Sequence, residues 1–393
     1  MTSKSNTQAK VTPLATPRDR FDAVRADLQA ALLERDEVID AMLGALVARQ
    51  HVLLLGPPGT GKSYLANLLC QAVAGQGQGA YFQWLLSKFS TPEELFGPVS
   101  VAGLQADRFE RVGKGKLQEA KVAFVDEIWK ANSAILNSLL TIINERLYHD
   151  GTKGPVLVPL EQLVGASNEL PQDEGLGALY DRFLVRLWVR PLKQGDAFKA
   201  LLRGGLQSNV STLHDGDLDT IRAESEQVKL DDHILDLLVQ VRTELVDKGI
   251  RVSDRRWVAV VHYLQATAWM AGDQTVTDDH LEHLIDCCWD EPEQRAEVKR
   301  AVLRIANPVG AKVEALMDDA RTRVADAPKA TGDLGEDQKQ LMALAATLMK
   351  IQKADKGLGP KHPRVVAAVT EITSQRKELL QQAEQLVRKA MGG

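Results

Sequence analysis

An α/β core followed by an all-helical region is the fold that these 393 residues predict. Three observations predict it. The stretch Gly56-Pro57-Pro58-Gly59-Thr60-Gly61-Lys62-Ser63 has the G-x-x-x-x-G-K-S spacing of a phosphate-binding loop. Short apolar runs that end in polar residues recur before Pro191, as buried parallel strands do. Beyond Pro191 no alternating run reads as a strand, and apolar residues recur at three- and four-residue steps instead.

The chain opens with a polar segment that lacks the apolar stretch of a signal peptide, and residues 1–17 read as a disordered arm. From Arg18 to Arg49, the residues Phe21, Val24, Leu28, Leu32 and then Val38, Met42, Leu46 fall at helical spacing and predict two helices. His51-Val52-Leu53-Leu54-Leu55 follows as a buried strand, and Tyr64 to Leu69 has helical composition. Strand, glycine loop and helix form the setting the motif needs. Glycines let backbone N–H groups close round phosphate oxygens, and the helix N-terminus points at the same charge. Gly56 to Tyr64 is therefore the candidate nucleotide-binding set, with Lys62 for the β- and γ-phosphates and Ser63 for Mg²⁺.

Ala80 to Trp84 predicts a second strand. Thr91-Pro92-Glu93-Glu94 predicts a helix start, with Thr91 as cap and Pro92 first inside. Val99 to Gly115 reads as an insertion of short turns and a hairpin. Val122-Ala123-Phe124-Val125-Asp126-Glu127 is a strand closed by two carboxylates. Alone it would be an ordinary strand end. Downstream of a phosphate loop, Asp126 suits a metal held through its water shell and Glu127 suits a base that polarises water. A helix from Ala131 to Asn144 precedes the strip Arg146 to Leu160, which reads as a β-hairpin centred on His149-Asp150-Gly151. Leu163 to Asn168 is a further strand. Asn168 at its tip either orients an attacking water or simply begins a turn. Arg182 stands at a helix end before the strand Leu184 to Val189, and by itself reads as a surface charge.

Helices are predicted over Asp231 to Val246, from Ser253-Asp254-Arg255-Arg256 onward, over Asp278 to Cys288, and over Gly310 to Ala325. Ala327 to Gly335 is the clearest linker. Two long helices follow it, and the second carries Val365, Val369, Ile372, Leu379, Ala383, Leu386 and Ala390 as a heptad seam. The predicted division is an arm, 1–17; an α/β nucleotide-binding core, 18–191; a helical lid with connecting helices, 192–326; and a C-terminal helical hairpin, 327–393.

At 44% apolar and 26% charged residues, the composition is that of an ordinary globular protein. A net charge of −5 argues against a protein that coats nucleic acid or an anionic membrane. Cys70, Cys287 and Cys288 have no C-x-x-C spacing, which fits a reducing compartment with neither a disulfide framework nor a zinc site. No apolar run approaches the roughly 20 residues of a membrane span. A cytoplasmic protein is the expectation.

The segments GPPGTGKS, STPEELFGP, FVDEIWKANSAILNSLLTIINER, GASNELP, ALYDRFLVRLW and VSDRRW stand in order between about Leu28 and Cys288. Together they resemble the MoxR family of AAA+ ATPases, most closely its RavA-like branch in the helix-2-insert clade. The resemblance implies an AAA+ core with a five-stranded parallel sheet and an all-α lid. It makes Val99 to Gly115 the helix-2 insert and Tyr148 to Leu160 the hairpin before sensor 1, both facing the pore of a ring. It matches Lys62 and Ser63 to Walker A, Asp126 and Glu127 to Walker B, and Asn168 to sensor 1. Arg182 matches the arginine finger that reaches a neighbouring subunit's γ-phosphate. Arg255 matches sensor 2, with Arg256 one register away as the fallback, and the subunit that sensor 2 serves is left open. RavA-like proteins can carry a small β-rich domain in their C-terminal region, whereas only helices are predicted here after Ala327.

The implied function is a Mg-ATP-hydrolysing ring, hexameric, that remodels, assembles or activates protein clients, commonly with a protein bearing a von Willebrand factor A domain. One rival is a nucleic-acid-directed motor. It needs basic pore elements, and Arg108, Arg111, Lys114, Lys116 and Lys153 lie there, interleaved with Asp107 and Glu110 and without an aromatic ladder for bases. Another is a nucleotide-gated scaffold with negligible turnover, which would not need Glu127, Asn168 and Arg182 together.

Overall fold

In the computed structural model, which describes residues 15–74, 81–149, 154–172, 174–204 and 209–307, the predicted apolar runs assemble into one parallel sheet. Two helices lead in, α1 (Pro17–Ala31) and α2 (Asp36–Val47). Helix α1 starts on a capping box: Thr16 Oγ1 accepts from the Asp19 N–H, and Asp19 accepts from the Thr16 N–H. Then come β1 (His51–Leu55), the glycine loop and α3 (Lys62–Ala74). They are followed by β2 (Tyr81–Leu85), α4 (Pro92–Phe96), α5 (Val101–Gln105), β3 (Val122–Asp126) and α6 (Ser133–Glu145). After β4 (Leu147–His149) and β5 (Pro155–Leu157), the core closes with β6 (Gln162–Ser167), α7 (Gly177–Tyr180) and β7 (Phe183–Trp188).

The sheet order is β2-β3-β6-β1-β7, all parallel. Strands β1 and β6 are buried along their whole length, as strands with a neighbour on each side and both faces covered must be. Parallel pairing brings every carboxyl end to one edge. The register sets Leu55 beside Ser167 and Trp188, and Asp126 beside Ala166. That edge is where open α/β sheets bind ligands.

One local expectation is corrected. The insertion Val99 to Gly115 is not a paired hairpin: it carries the short helix α5 and a single antiparallel bridge, Val99 to Arg111. Ser100 caps that helix by accepting from the Gly103 N–H, so the backbone bonds go into a helical turn rather than a ladder. Beyond the core, the short helix expected over Asp278 to Cys288 does form, in a tighter coil. It is a 3-10 helix, Asp278–Asp286, capped by Thr277 with His280. The tighter coil ends there, and Cys287, Cys288 and Trp289 turn fully inward. The predicted hairpin does form, from β4 and β5, with Leu147 opposite Leu157.

After β7 the described residues are helical: α8 (Gly195–Leu202), α9 (Asp217–Glu226), α10 (Asp232–Asp247), α11 (Asp254–Ala271) and α12 (Gln294–Ala306). Among the described residues, 15–234 with 250–295 form one compact unit and 235–249 with 296–307 a second. Within the second, Lys248 pairs with Glu297 and Arg304 with Glu244. Within the first, α11 is fastened to the N-terminal helices. Gly44 of α2 leaves room for the Tyr263 ring and the Thr267 methyl, which would lie 3.1 and 3.2 Å from a Cβ there. Arg18 donates to the carbonyls of Trp269, at 2.5 Å, and Met270, at 3.0 Å, satisfying groups the end of α11 leaves open. Its guanidinium also lies 4.2 Å over the Trp269 ring.

No helix among the described residues is long and apolar enough to cross a membrane. The expected arm up to residue 14, Lys153, the helix Gly310 to Ala325, the linker and the C-terminal hairpin lie outside the described residues.

Candidate active site

The phosphate loop is built by three glycines in the positive-φ region, Gly56 at 141°, Gly59 at 77° and Gly61 at 87°. At Gly56 the requirement is also steric, because a Cβ would meet the Val189 carbonyl oxygen at 2.3 Å. The Gly56 N–H donates to Ser167 O at 3.2 Å, so the loop springs from β1 already hooked to the tip of β6. Pro57 and Pro58 are exposed, and the Thr60 hydroxyl donates back to Pro57 O at 3.0 Å.

Lys62 is buried, and its ammonium donates to Gly56 O at 2.7 Å and Pro57 O at 3.0 Å. Burial holds its pKa below the ordinary lysine value, and the nearby Asp126 and Glu127 charges push back upward. Among the described residues no carboxylate pairs with it directly. A cation waiting on backbone carbonyls, glycine N–H groups round a turn, the Ser63 hydroxyl and the Asp126 carboxylate form a donor set that fits a nucleotide with Mg²⁺. Ser63, Tyr64, Asp126 and Glu127 are all partly exposed.

Glu127 takes a left-handed conformation, φ 53° and ψ 45°, and opens the 3-10 turn Ile128–Lys130. Its N–H donates to the Asp126 carboxylate at 3.0 Å. Asn168 follows the last residue of β6. It is exposed, with no side-chain partner among the described residues. Lys62, Ser63, Asp126, Glu127 and Asn168 thus share the carboxyl edge of the sheet.

Arg182 and Arg255 do not join them. Both line a cavity of about 830 Å³ at the amino ends of β1 and β7, beside Gln50, His51 and Leu184. Five arginines, 49, 146, 182, 255 and 256, line it against two acids, Glu145 and Asp181. Strand β1 separates this cavity from the chain's own phosphate loop by about 15 Å, at roughly 3.3 Å per residue. Arg182 follows the end of α7 and keeps a loose pair with Asp181 at 3.8 Å. Arg255 is exposed on the first turn of α11 and has no partner among the described residues. Arg256 is spent internally: it is buried, and it donates to Asp290 Oδ1 at 2.7 Å and to the carbonyls of Cys287 and Trp289. Of the two registers open to the sequence, Arg255 is the one with a guanidinium free for a ligand.

Sequence reading missed two neighbours of the loop. Arg35 is buried and donates to Arg190 O at 2.6 Å and Thr60 O at 3.3 Å, bracing the loop against the end of β7. Trp188, 37% exposed, lines a cavity of about 410 Å³ beside Arg35, Glu37, Arg190 and Arg295. Trp188 closes the segment ALYDRFLVRLW without a role of its own there, and a lone arginine between helices gives no signal.

A sheet of this order, with a phosphate loop at the tip of an interior strand and a helical lid behind it, is an AAA+ ATPase core. Residues 19–229 match the family model described as the MoxR domain in MoxR-vWA-beta-propeller ternary systems, and residues 233–302 match that of an AAA lid domain. Two uncharacterized proteins of Methanocaldococcus jannaschii are 38% and 36% identical, over 73% and 75% of this chain and 76% of each of theirs. The ATP-dependent zinc metalloprotease FtsH 4 of Sphaerobacter thermophilus is 34% identical, over 32% of this chain and 18% of its own. A crystal structure of a proposed ATPase from Cytophaga hutchinsonii shares the fold, with a TM-score of 0.57 at 16% identity, covering 74% of this chain and 95% of that one. The chain belongs to the MoxR family of AAA+ ATPases.

Proposed function

We propose that this chain hydrolyses ATP with Mg²⁺ in a ring of its own copies, hexameric as the resemblance implies. It uses the cycle in the cytoplasm to remodel, assemble or activate protein clients. The observation that carries the reading is the placement of Arg182 and Arg255 in one cavity at the far end of the sheet from their own phosphate loop. A cationic cavity there lies away from the chain's own phosphate loop, which supports a reading in which both arginines serve the nucleotide of a second copy.

The loop N–H groups and Lys62 hold the phosphates, and the Lys62 ammonium exchanges its loop carbonyls for phosphate oxygens. Ser63 and Asp126 would hold the Mg²⁺, which when bound would supply positive charge against the phosphates. Glu127 takes the proton of the attacking water and Asn168 orients it. Arg182 of the neighbouring copy meets the charge that develops on the γ-phosphate, an effect worth roughly 10³–10⁵ in rate in GTPases.

Protein clients are favoured over nucleic acid because, Lys114 apart, the described basic residues of the expected pore elements have partners within the chain. Arg108 pairs with Glu110, Arg111 with Glu93 and Gly97 O, and Lys116 with Glu94 O and the Trp84 ring. Val101, Leu104, Phe109 and Val112 on the insertion, and Val156 and Leu157 on the hairpin, are exposed instead. The RavA-like branch rests on motif wording alone. The matched family model supports a ternary system, and from it we take a von Willebrand factor A domain protein and a β-propeller protein as partners.

Specific ATPase activity measured against protein concentration, with particle mass recorded in parallel, tests the reading. Activity per subunit is expected to rise as a ring-sized species forms. Concentration-independent activity in a monomer would overturn it.

A further inference from the structure

Two aromatic rings meet between the turn that carries Glu127 and the segment that carries Arg182. Glu127 is held in the left-handed region, which a non-glycine residue keeps only when its surroundings fix it. Two residues on, Trp129 is buried in the same 3-10 turn. Its ring stands edge-on to Tyr180, with centroids 5.6 Å apart at 76°, and edge-on to Phe183 at 6.1 Å and 90°. Tyr180 ends α7, two residues before Arg182.

Tyr180 is itself immobilised on its other sides. Its hydroxyl donates to Asp290 O, and the Arg186 guanidinium lies 3.7 Å over its ring. Arg186, fully buried, donates to Tyr180 O at 3.0 Å and to Asp290 Oδ1 at 2.5 Å. Asp290 also receives Arg256, the neighbour of Arg255. The ring of Tyr180 is thus packed between the Glu127 turn and the frame that presents both arginines. Trp129 is therefore the contact through which the Glu127 turn meets Tyr180, two residues before Arg182.

We propose that Trp129 is a positioning residue which, through Tyr180, ties the state of a subunit's own site to the aim of the arginine that subunit lends to its neighbour. The inference rests on the trans assignment of Arg182 above. An edge-to-face pair can bias such a placement about two- to tenfold.

Mixed assemblies test it. Glu127→Gln removes the base of a subunit and leaves its arginine, and Arg182→Ala does the reverse. In the mixture, turnover comes from sites where an Arg182→Ala subunit is completed by a Glu127→Gln neighbour. Trp129→Leu placed in the Glu127→Gln subunit acts on turnover only through the arginine lent, since that subunit's own site is already silent. The expected result is a fall of about two- to tenfold in the turnover of the mixture. Trp129→Phe in the same subunit should restore it, with assembly mass and nucleotide affinity unchanged. Unaltered turnover overturns the relay, and so does loss of assembly or of nucleotide binding with either substitution. If the parent mixture of Glu127→Gln and Arg182→Ala recovers no turnover, the trans reading falls and the relay with it, before Trp129 is altered.

Discussion

The Ser253 hydroxyl donates to Asp181 Oδ2 at 3.1 Å while accepting from the Arg256 N–H at 3.3 Å. One side chain therefore caps the helix that carries Arg255 and ties it to the residue before Arg182. Ser253→Ala removes both bonds. It should cost about 1 kcal/mol of stability as a lost cap, read from the denaturation midpoint. It should also lower the turnover of the assembled protein. A shifted midpoint with unchanged turnover would mean that the two arginines are aimed independently of this bond.

Asn168 separates catalysis from folding. Its side chain is exposed and has no partner among the described residues, so Asn168→Ala should leave stability within about 0.5 kcal/mol. Turnover should fall by about 10²-fold if the amide orients the attacking water. Equal single-turnover rates in the two proteins would return Asn168 to the role of a turn residue.

Gly56 and Gly59 both take positive φ, yet they should respond differently to alanine. A Cβ on Gly56 collides with Val189 O, whereas one on Gly59 meets nothing within 4 Å. Gly56→Ala should abolish nucleotide binding and lower the melting temperature. Gly59→Ala should cost only about 1–2 kcal/mol of backbone strain. Nucleotide titration and thermal denaturation of the two variants side by side decide the matter.

His51 predicts an acid limb of stability. It is buried, its Nδ1 accepts from the Leu163 N–H, and burial, reinforced by the adjacent Arg146, holds its pKa well below the usual histidine value. The unfolded chain protonates this residue below about pH 6.5 while the folded chain does not. The unfolded state then binds more protons. Stability is therefore fully present above that pH and is lost as pH falls toward the folded value, by up to about 1.4 kcal/mol per pH unit. Denaturant titrations at pH 7.0 and 5.5, values chosen to bracket the roughly 6.5 midpoint, should show the loss. His51→Gln should flatten the slope, and an equal slope in both proteins would locate the limb elsewhere.

The sheet and the phosphate loop were legible because each depends on local chemistry. Glycine at a positive φ, a lysine beside it and a strand ending in carboxylates all leave their mark within a few residues. The insertion was misread because turns and a five-residue helix share the same glycines and polar residues. The choice between Arg255 and Arg256 was invisible for another reason. It depends on Asp290, thirty-four residues further on, which takes one arginine inward and leaves the other outside. Trp129 and Tyr180 stand inside recognised motifs, but only the folded chain brings their rings together.

The fastening of α11 fixes where Arg255 stands. Its far end is pinned by Arg18, its middle is keyed into Gly44, and its start is riveted through Arg256 and Asp290. A helix held at three points moves with the segments that hold it. Arg255, on its first turn, therefore keeps its place relative to α1 and α2 whatever the phosphate loop does.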